Sequence, residues 1–291
     1  MARRPASKQI SAGGLLQALA RGGLGLAVAA LISVALVQAG LMRSPFAPAL
    51  TGDLALARTD RAGLRVLFVG NSFTFYNSMP ELVRRLAAAD EGAPPIFVDD
   101  YTAGGWTLED ASRDQGLAAV LENGRWDFVV LQEQSQLLSF PAEQRREETY
   151  PFARALQGQI ASAGSRTVLF MTWGYKEGDP RNYPGDSFTA MQRRLAEGYS
   201  DLGAALAATV APVGLAWEEA LQREPGLDLW DSDGKHPNPA GSHLAACVFY
   251  AMLSGRNPAG SEFTGGLEPA EARLLQRVAS DVVLATPLKT A

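Results

Sequence analysis

The sequence contains very little cysteine and histidine. Among its 291 residues, Cys247 is the single cysteine, and His236 and His243 are the two histidines. One cysteine excludes an intramolecular disulfide and a cysteine cluster around a metal ion. Two histidines, one of which has a different interpretation below, leave no convincing set of metal ligands. We therefore expect neither a bound metal nor another cofactor.

Positive charge is also scarce outside the N-terminus. Residues 1–43 contain five basic and no acidic residues, so the rest has 21 basic against 31 acidic residues, a formal charge of -10 where the whole chain has -5. An acidic body argues against nucleic acid and against an anionic membrane surface as partners. Hydrophobic residues make up 47% and charged residues 20%, which is typical of a globular domain and not of a disordered chain.

One long stretch near the N-terminus lacks any charge. Residues 23–42, GLGLAVAALISVALVQAGLM, match the ~20 residues that a helix needs to cross a bilayer. Because the basic residues lie mainly before this stretch, we expect the N-terminus in the cytoplasm and the rest outside. The predicted organisation is a basic cytoplasmic segment at 1–22, a transmembrane anchor or signal segment at 23–42, a linker at 43–62 and one folded domain at 63–291.

The N-terminal segment has a second interpretation. Val37–Ala39, VQA, resembles the small-residue site at which a signal peptide is cleaved. The domain is therefore expected to be either membrane-anchored outside the cytoplasm or, if the segment is removed, secreted or periplasmic.

Short apolar runs alternate with helical stretches over the rest of the chain. Their continuous hydrophobicity is typical of strands that are buried on both faces. The predicted strands are 64–70, 96–101, 127–132, 167–173 and 210–215. The predicted helices are 78–90, which begins with Ser78 and Glu81 in capping-box spacing, 107–122, 143–163, 187–208, 239–254 and 268–284. Strands separated by helices predict an α/β fold, a three-layer α/β/α sandwich with a mostly parallel five-stranded sheet.

Polar residues follow the first three predicted strands. Ser72 comes after the first, Gly105 after the second, and the sequence QEQS, with Gln132 and Gln134 on either side of Glu133, after the third. In parallel sheets, ligands bind beyond the carboxyl ends of the strands. We therefore expect these side chains and backbone N–H groups to share one edge of the sheet.

The sequence DGKHPNP supplies a histidine on a short rigid loop. Asp233 and His236 have a spacing at which a tight turn brings the carboxylate to one imidazole nitrogen and leaves the other facing outwards. A histidine held in this way can remove the proton of a serine hydroxyl and later protonate a leaving group. Pro237 favours an extended backbone at His236, and Asn238 and Pro239 are typical of a helix cap and first turn.

These sequences resemble the SGNH hydrolase superfamily, which is related to the GDSL esterases and lipases. GNSFT matches the serine block at Ser72, AGGWT the glycine block at Gly105, and DGKHP the last block at Asp233 and His236. The resemblance covers about residues 64–254. It implies a flavodoxin-like fold with Ser72 as nucleophile, His236 as base and then acid, Asp233 orienting the histidine, and the N–H groups of Ser72 and Gly105 in an oxyanion hole.

The sequence departs from the family pattern at two places. Asn71 stands where many members have aspartate, and the block that usually contains an oxyanion asparagine is LQEQS. Glutamine has the same amide donor on a chain one methylene longer, so Gln134 is the expected third donor of the oxyanion hole. Gln132 is the alternative.

Other candidates remain beside these. His243, on a predicted helix, is expected to be structural, Asp231 is an alternative partner for the imidazole, and Glu133 is either a charge at the rim or a group that tunes the site. Three aromatic residues at strand ends could stack against a sugar or could pack the core: Trp106, Trp173 and Tyr175.

The expected function is that of a serine esterase that forms an acyl-enzyme. The family resemblance implies a small acyl group, such as acetyl, on a carbohydrate or cell-envelope substrate. The alternatives are acyl transfer with the same residues, or a non-catalytic module, either a flavodoxin-like one with GNSFTF around a phosphate or a sugar-binding one. The sequence makes no prediction of oligomeric state.

Overall fold

The computed structural model describes residues 63–285 and the backbone of a two-residue strand at Ala49–Leu50. Three predicted parts lie outside the described residues: the basic segment at 1–22, the anchor or signal segment at 23–42 and most of the linker at 43–62. Among the helices that are described, none is both long and apolar enough to cross a membrane.

Six strands form one sheet. They are β1 (Ala49–Leu50), β2 (Leu64–Gly70), β3 (Ile96–Thr102), β4 (Phe128–Leu131), β5 (Arg166–Phe170) and β6 (Thr209–Ala211). Their order across the sheet is β1-β3-β2-β4-β5-β6, with β1 antiparallel to β3 and the other neighbours parallel. The five parallel strands thus follow the flavodoxin-like order 2-1-3-4-5. The prediction of an α/β sandwich on a mostly parallel sheet is confirmed, and β1 is a sixth strand in the segment predicted as a linker.

Ten helices accompany the sheet in the described part of the chain. They are α1 (Ser72–Phe75), α2 (Met79–Ala88), α3 (Leu108–Arg113), α4 (Gln115–Asn123), α5 (Ala142–Glu148), α6 (Tyr150–Ser162), α7 (Phe188–Leu206), α8 (Val213–Arg223), α9 (Pro239–Ser254) and α10 (Pro269–Ala285). Helices α2, α8, α9 and α10 contact one another in one group, and α3, α4, α5 and α6 form a second group. Two short 3-10 turns lie at Tyr76–Ser78 and Leu137–Ser139.

Several element boundaries differ from the prediction. The fifth strand ends at Ala211, and the residues that follow Pro212 form α8. The predicted helix 107–122 is interrupted at Asp114, which is extended and accepts the N–H of Leu117 as the cap of α4. The predicted helix 143–163 is interrupted at Thr149, just before a proline in the first turn of α6.

The predicted capping box at the start of the first long helix is wrong. Ser78 has a left-handed backbone with φ 52° and its side chain makes no capping hydrogen bond. Glu81 instead forms an ion pair with Arg84 one turn later. The chain turns sharply here because Asn77 is also left-handed, with φ 51°.

The sheet forms the centre of the hydrophobic core. In β2, the residues from Val66 to Val69 are almost completely buried, as expected for a strand covered by helices on both faces. Burial of each such aliphatic or aromatic side chain contributes about 1.5–3 kcal/mol. The register places Val69 beside both Tyr101 of β3 and Leu131 of β4. The loops that leave these three strands therefore emerge at the same edge of the sheet.

Candidate active site

Ser72 lies at the first turn after β2. Asn71 is extended, and its side-chain Oδ1 accepts the N–H of Phe73 at 3.1 Å, which caps the four-residue helix α1. The first N–H groups of a helix have no partner within it. The N–H of Ser72 accordingly donates to no other group within the described residues. Gly70, the last residue of β2, leaves room for the side chain of Gln132, since a Cβ there would lie 2.5 Å from Gln132 Oε1.

The imidazole of His236 joins Ser72 to Asp233. Its Nε2 lies 2.8 Å from Ser72 Oγ, and its Nδ1 lies 2.5 Å from Asp233 Oδ2. Because a carboxylate only accepts hydrogen bonds, Nδ1 carries the proton and Nε2 is left to accept from the Ser72 hydroxyl. The structure thus brings together three predicted residues in the order that proton transfer requires, although Ser72 and His236 are 164 positions apart.

Backbone hydrogen bonds hold the carboxylate of Asp233 in place. Its Oδ1 accepts the N–H groups of Lys235 and His236, each at 2.9 Å. Partial burial raises the pKa of Asp233, but the hydrogen bonds from the imidazole and from these two N–H groups outweigh it, so that the pKa is lowered. Asp233 is therefore ionised at neutral pH and faces a proton-bearing Nδ1.

The loop around His236 is held from several sides. Gly234 adopts φ 68°, a left-handed conformation that favours glycine, and the N–H of Asp231 donates to His236 O at 2.8 Å. Trp173 Nε1 donates to Lys235 O at 2.9 Å. The side chain of Asp231 accepts the N–H of Ser232 and makes no hydrogen bond to the imidazole, so the geometry favours Asp233 as its partner.

Two aromatic rings lie next to the imidazole. Tyr76 stacks on His236 with a centroid distance of 4.3 Å and an interplanar angle of 14°, and Phe73 lies at 5.4 Å. Stacking on one face limits rotation of the imidazole plane. Tyr76 and its neighbour Phe75, an exposed large hydrophobic side chain, were not predicted as site residues. The aromatic sequence FTFY directly after Ser72 was the signal for them.

Gly105 supplies a second exposed N–H group. Its φ of 73° favours glycine, and a Cβ at this position would meet no atom within 4 Å. Within the described part of the chain, its N–H donates to no protein group. The neighbouring Trp106 O accepts Asn71 Nδ2 at 2.8 Å, which ties this loop to the turn that carries Ser72.

The two glutamines after β4 have different environments. Gln132 is buried, and both ends of its amide are used, since Oε1 accepts the N–H of Asn71 at 2.8 Å and the hydroxyl of Thr74 at 2.9 Å, while Nε2 donates to Glu133 O. Gln134 is half-buried. The geometry therefore favours Gln134 as the side-chain donor, and its oxyanion role stays a prediction.

The orientation of the Gln134 amide follows from its neighbours. Gln134 Oε1 accepts the N–H of Gln136 at 2.8 Å, and Gln136 Nε2 donates to Asp179 Oδ2 at 2.8 Å. The backbone N–H can only donate, so the oxygen of Gln134 must face it and Nε2 must point away. The only contact of that nitrogen within the described residues is 3.4 Å from Gln136 Oε1, which leaves it able to donate elsewhere.

The remaining candidates are packing residues. Trp173 stacks between Phe73 and Trp217, and the hydroxyl of Tyr175 lies 2.6 Å from Ser135 Oγ. Both aromatic side chains are buried, which favours the packing alternative over a sugar-stacking wall for them, whereas Trp106 is half-buried.

His243 is also buried. Neither of its ring nitrogens has a hydrogen-bond partner among the described residues, and burial lowers its pKa to about 4. Its environment fits the structural role expected for it. In residues 63–285, no group of three or more His, Cys, Asp or Glu side chains is arranged to hold a metal ion.

Comparisons with known proteins assign the fold and the family. The chain resembles a DUF4886 family protein from Bacteroides uniformis with a TM-score of 0.65 and 18% identity, over 76% of this chain and 95% of that one. It resembles LAE5, an α/β hydrolase from the Lake Arreo metagenome, with a TM-score of 0.50 and 17% identity, over 67% and 96%. At these identities the likeness shows the fold. No protein-family model and no curated protein matches the chain.

A further structure shows the family. A protein from Slackia heliotrinireducens, described as a candidate SGNH hydrolase, is 30% identical, with a TM-score of 0.54 over 66% of this chain and 99% of that one. The chain belongs to the SGNH hydrolase superfamily. The family resemblance of the sequence is thereby confirmed.

Proposed function

We propose that this protein is a serine esterase that hydrolyses small acyl esters through an acyl-enzyme. The observation that carries the proposal is the hydrogen-bonded line from Ser72 Oγ through His236 to Asp233. Two N–H groups, those of Ser72 and Gly105, have no protein partner in the described part of the chain and supply the further donors that the proposal needs.

The proposed reaction begins with attack on the ester. Ser72 Oγ bonds to the carbonyl carbon while its proton moves to His236 Nε2, and Asp233 stabilises the imidazolium that results. The oxyanion accepts hydrogen bonds from the N–H groups of Ser72 and Gly105 and from Gln134 Nε2. The tetrahedral intermediate then expels the alcohol, which takes the proton from Nε2. A water molecule releases the acyl group by the same steps, with His236 again as base and then acid.

The proposed substrate is a small acyl ester, such as an acetyl ester, on a carbohydrate or cell-envelope polymer. This part rests on the family resemblance. Purified protein should hydrolyse aryl acetates and acetylated glycans faster than long-chain esters. Transfer of the acyl group to an added sugar at the expense of hydrolysis would instead identify an acyltransferase, and flavin absorbance in the purified protein would favour the binding module.

A matched pair of glutamine variants tests the oxyanion donor. Gln134→Ala should lower kcat by roughly 10² to 10³ with little change in KM, because the donor acts mainly in the transition state. Gln132→Ala should lower kcat less but lower Tm more, since the buried N–H of Asn71 loses its acceptor. Steady-state kinetics and thermal denaturation measure both effects. A larger loss of kcat in Gln132→Ala would move the donor role to that residue.

The location of the protein is part of the same proposal. The uncharged stretch at 23–42 with its basic N-terminal flank should leave Ser72 and His236 on the outer face of the membrane. Protease added to intact spheroplasts should therefore degrade the domain, and the N-terminal region should stay in the membrane fraction. A new N-terminus near Gly40 would indicate a cleaved signal and a soluble exported enzyme. Complete protection from protease would contradict the outward orientation.

A further inference from the structure

Glu133 is a buried carboxyl group beside the candidate site, with 1% of the residue exposed. Its Oε1 accepts two backbone hydrogen bonds, from the N–H of Gln134 at 2.7 Å and from the N–H of Leu108 at 3.0 Å. Leu108 is the first residue of α3, and Gln134 lies in the loop after β4. A single oxygen atom therefore joins two loops that are separated in sequence.

Each of these loops carries a proposed oxyanion donor. Gly105 lies in the loop before α3, and no side chain of its own can anchor it. That loop is held on the C-terminal side of Gly105, where Trp106 O accepts Asn71 Nδ2 at 2.8 Å and the N–H of Leu108 donates to Glu133. Removal of the Glu133 acceptor would free one of the two attachments on this side, while the N–H of Ala103 still donates to Gly70 O on the other.

The other oxygen of Glu133 faces the protein interior. Its Oε2 makes no hydrogen bond of good geometry within the described residues, although the Thr149 hydroxyl lies next to the carboxyl. The titratable groups that face Glu133 are Asp110 from α3 and Tyr199 from α7. Burial, with a smaller effect of Asp110, raises the pKa of Glu133 to about 7, and the two backbone N–H groups oppose the shift. Because Oε1 has both backbone hydrogen bonds, a bound proton belongs on Oε2, and Oε1 accepts in either protonation state.

We propose that Glu133 is a positioning residue. By holding both loops through their backbone N–H groups, it aligns the N–H of Gly105 and the side-chain Nε2 of Gln134 on the same oxyanion. Oxyanion donors act only when they lie about 2.7–3.1 Å from the position of the developing charge. A displacement of about 1 Å can cost on the order of 10²-fold in rate. The carboxyl makes this alignment through backbone atoms and does not touch the substrate.

Two substitutions of Glu133 with side chains of similar volume separate the effect of its hydrogen-bond acceptor from the effect of its packing. Glu133→Met removes the acceptor, whereas Glu133→Gln keeps a carbonyl oxygen that can receive the same two N–H groups. We expect kcat of Glu133→Met to fall about 10²-fold with KM little changed, and kcat of Glu133→Gln to stay within a few-fold of the wild type. Thr149→Val, which removes a hydroxyl on the other side of the carboxyl, is the matched control and should keep the wild-type kcat.

The inference rests on the proposed esterase function, and Ser72→Ala separates the two failures. Hydrolysis that survives in Ser72→Ala contradicts the function. Hydrolysis that depends on Ser72 but is unchanged in Glu133→Met overturns the positioning role, as would an equal loss in Glu133→Met and Glu133→Gln. The final extent of fluorophosphonate labelling at Ser72 counts the competent sites, so a smaller folded fraction is not mistaken for a lower kcat.

If Glu133→Met does not fold, amide hydrogen exchange in the wild type tests the positioning role of Glu133 instead. Leu108 is the first residue of α3 and Gln134 lies in a loop. The N–H groups of both residues therefore have no backbone acceptor within a helix or a sheet. Both should exchange slowly because each donates to Glu133. Fast exchange at either position would overturn the proposal.

Glu133→Gln also has an expected pH signature. The pKa of Glu133 is raised to about 7 in the folded state, against an ordinary value of about 4.3. The folded state therefore holds this proton more tightly than the unfolded chain, and its stabilising effect is present below about pH 4.3 and is lost as pH rises through about 7. The Tm of Glu133→Gln relative to the wild type should rise over this range. A constant difference would contradict the raised pKa of the buried carboxyl, while the kinetics of Glu133→Met still decide the positioning role.

Discussion

Alanine in place of Ser72 should abolish measurable ester hydrolysis and leave the fold intact. The Ser72 hydroxyl has one hydrogen-bond partner in the described residues, His236 Nε2 at 2.8 Å, so its removal should cost only about 1 kcal/mol of stability. Loss of the nucleophile from such a triad lowers kcat on the order of 10⁶-fold. Steady-state kinetics and thermal denaturation measure the two effects separately. Undiminished turnover by Ser72→Ala would contradict the serine hydrolase proposal.

Covalent labelling tests the same assignment without a substrate. A fluorophosphonate probe should modify wild-type Ser72 and should not modify His236→Ala, whose serine has lost its base. Ser232→Ala is the matched control, because Ser232 is an exposed serine in the loop that carries His236, and it should be labelled like the wild type. An adduct that mass spectrometry places on another serine would show that the serine block is wrongly assigned.

Asparagine in place of Asp233 should lower kcat about 10⁴-fold while Ser72 and His236 stay in place. Asp233 Oδ2 accepts the proton of His236 Nδ1, and this leaves Nε2 free to take the proton of Ser72. An asparagine amide can donate to Nδ1, which moves the imidazole proton to Nε2, where it blocks proton removal from the serine.

The neighbouring aspartate supplies the control for this substitution. Asp231→Asn should change kcat by no more than a few-fold, because the Asp231 side chain accepts the N–H of Ser232 and makes no hydrogen bond to the imidazole. Steady-state kinetics of the two variants decide between these aspartates. An equal or larger loss in Asp231→Asn would make Asp231 the partner of His236.

Hydrophobic runs were sufficient to predict the five parallel strands, because strands covered on both faces must be apolar along their whole length. The hydrophobic runs gave wrong element boundaries where capping side chains or tertiary packing determine where a helix or strand ends. Asp114 interrupts a predicted helix because its carboxylate caps α4 and also accepts the hydroxyl of Tyr101 on β3. The fifth strand is shorter than predicted because the apolar residues after Pro212 form a helix. In so short an apolar run, the hydrophobic period does not distinguish a strand from a buried helix.

The features of the site also fall into those that the sequence predicted and those that only the tertiary structure determines. The tight turn between Asp233 and His236 and the helix cap at Asn238 involve neighbours in sequence, so residue type and spacing were enough to predict them. The buried hydrogen bonds of Gln132, the stacking of Tyr76 on His236 and the hydrogen bonds of Glu133 join residues from different strands and loops. These contacts depend on strand order and register, which set the distances between segments far apart along the chain, so local sequence does not show which residues will meet.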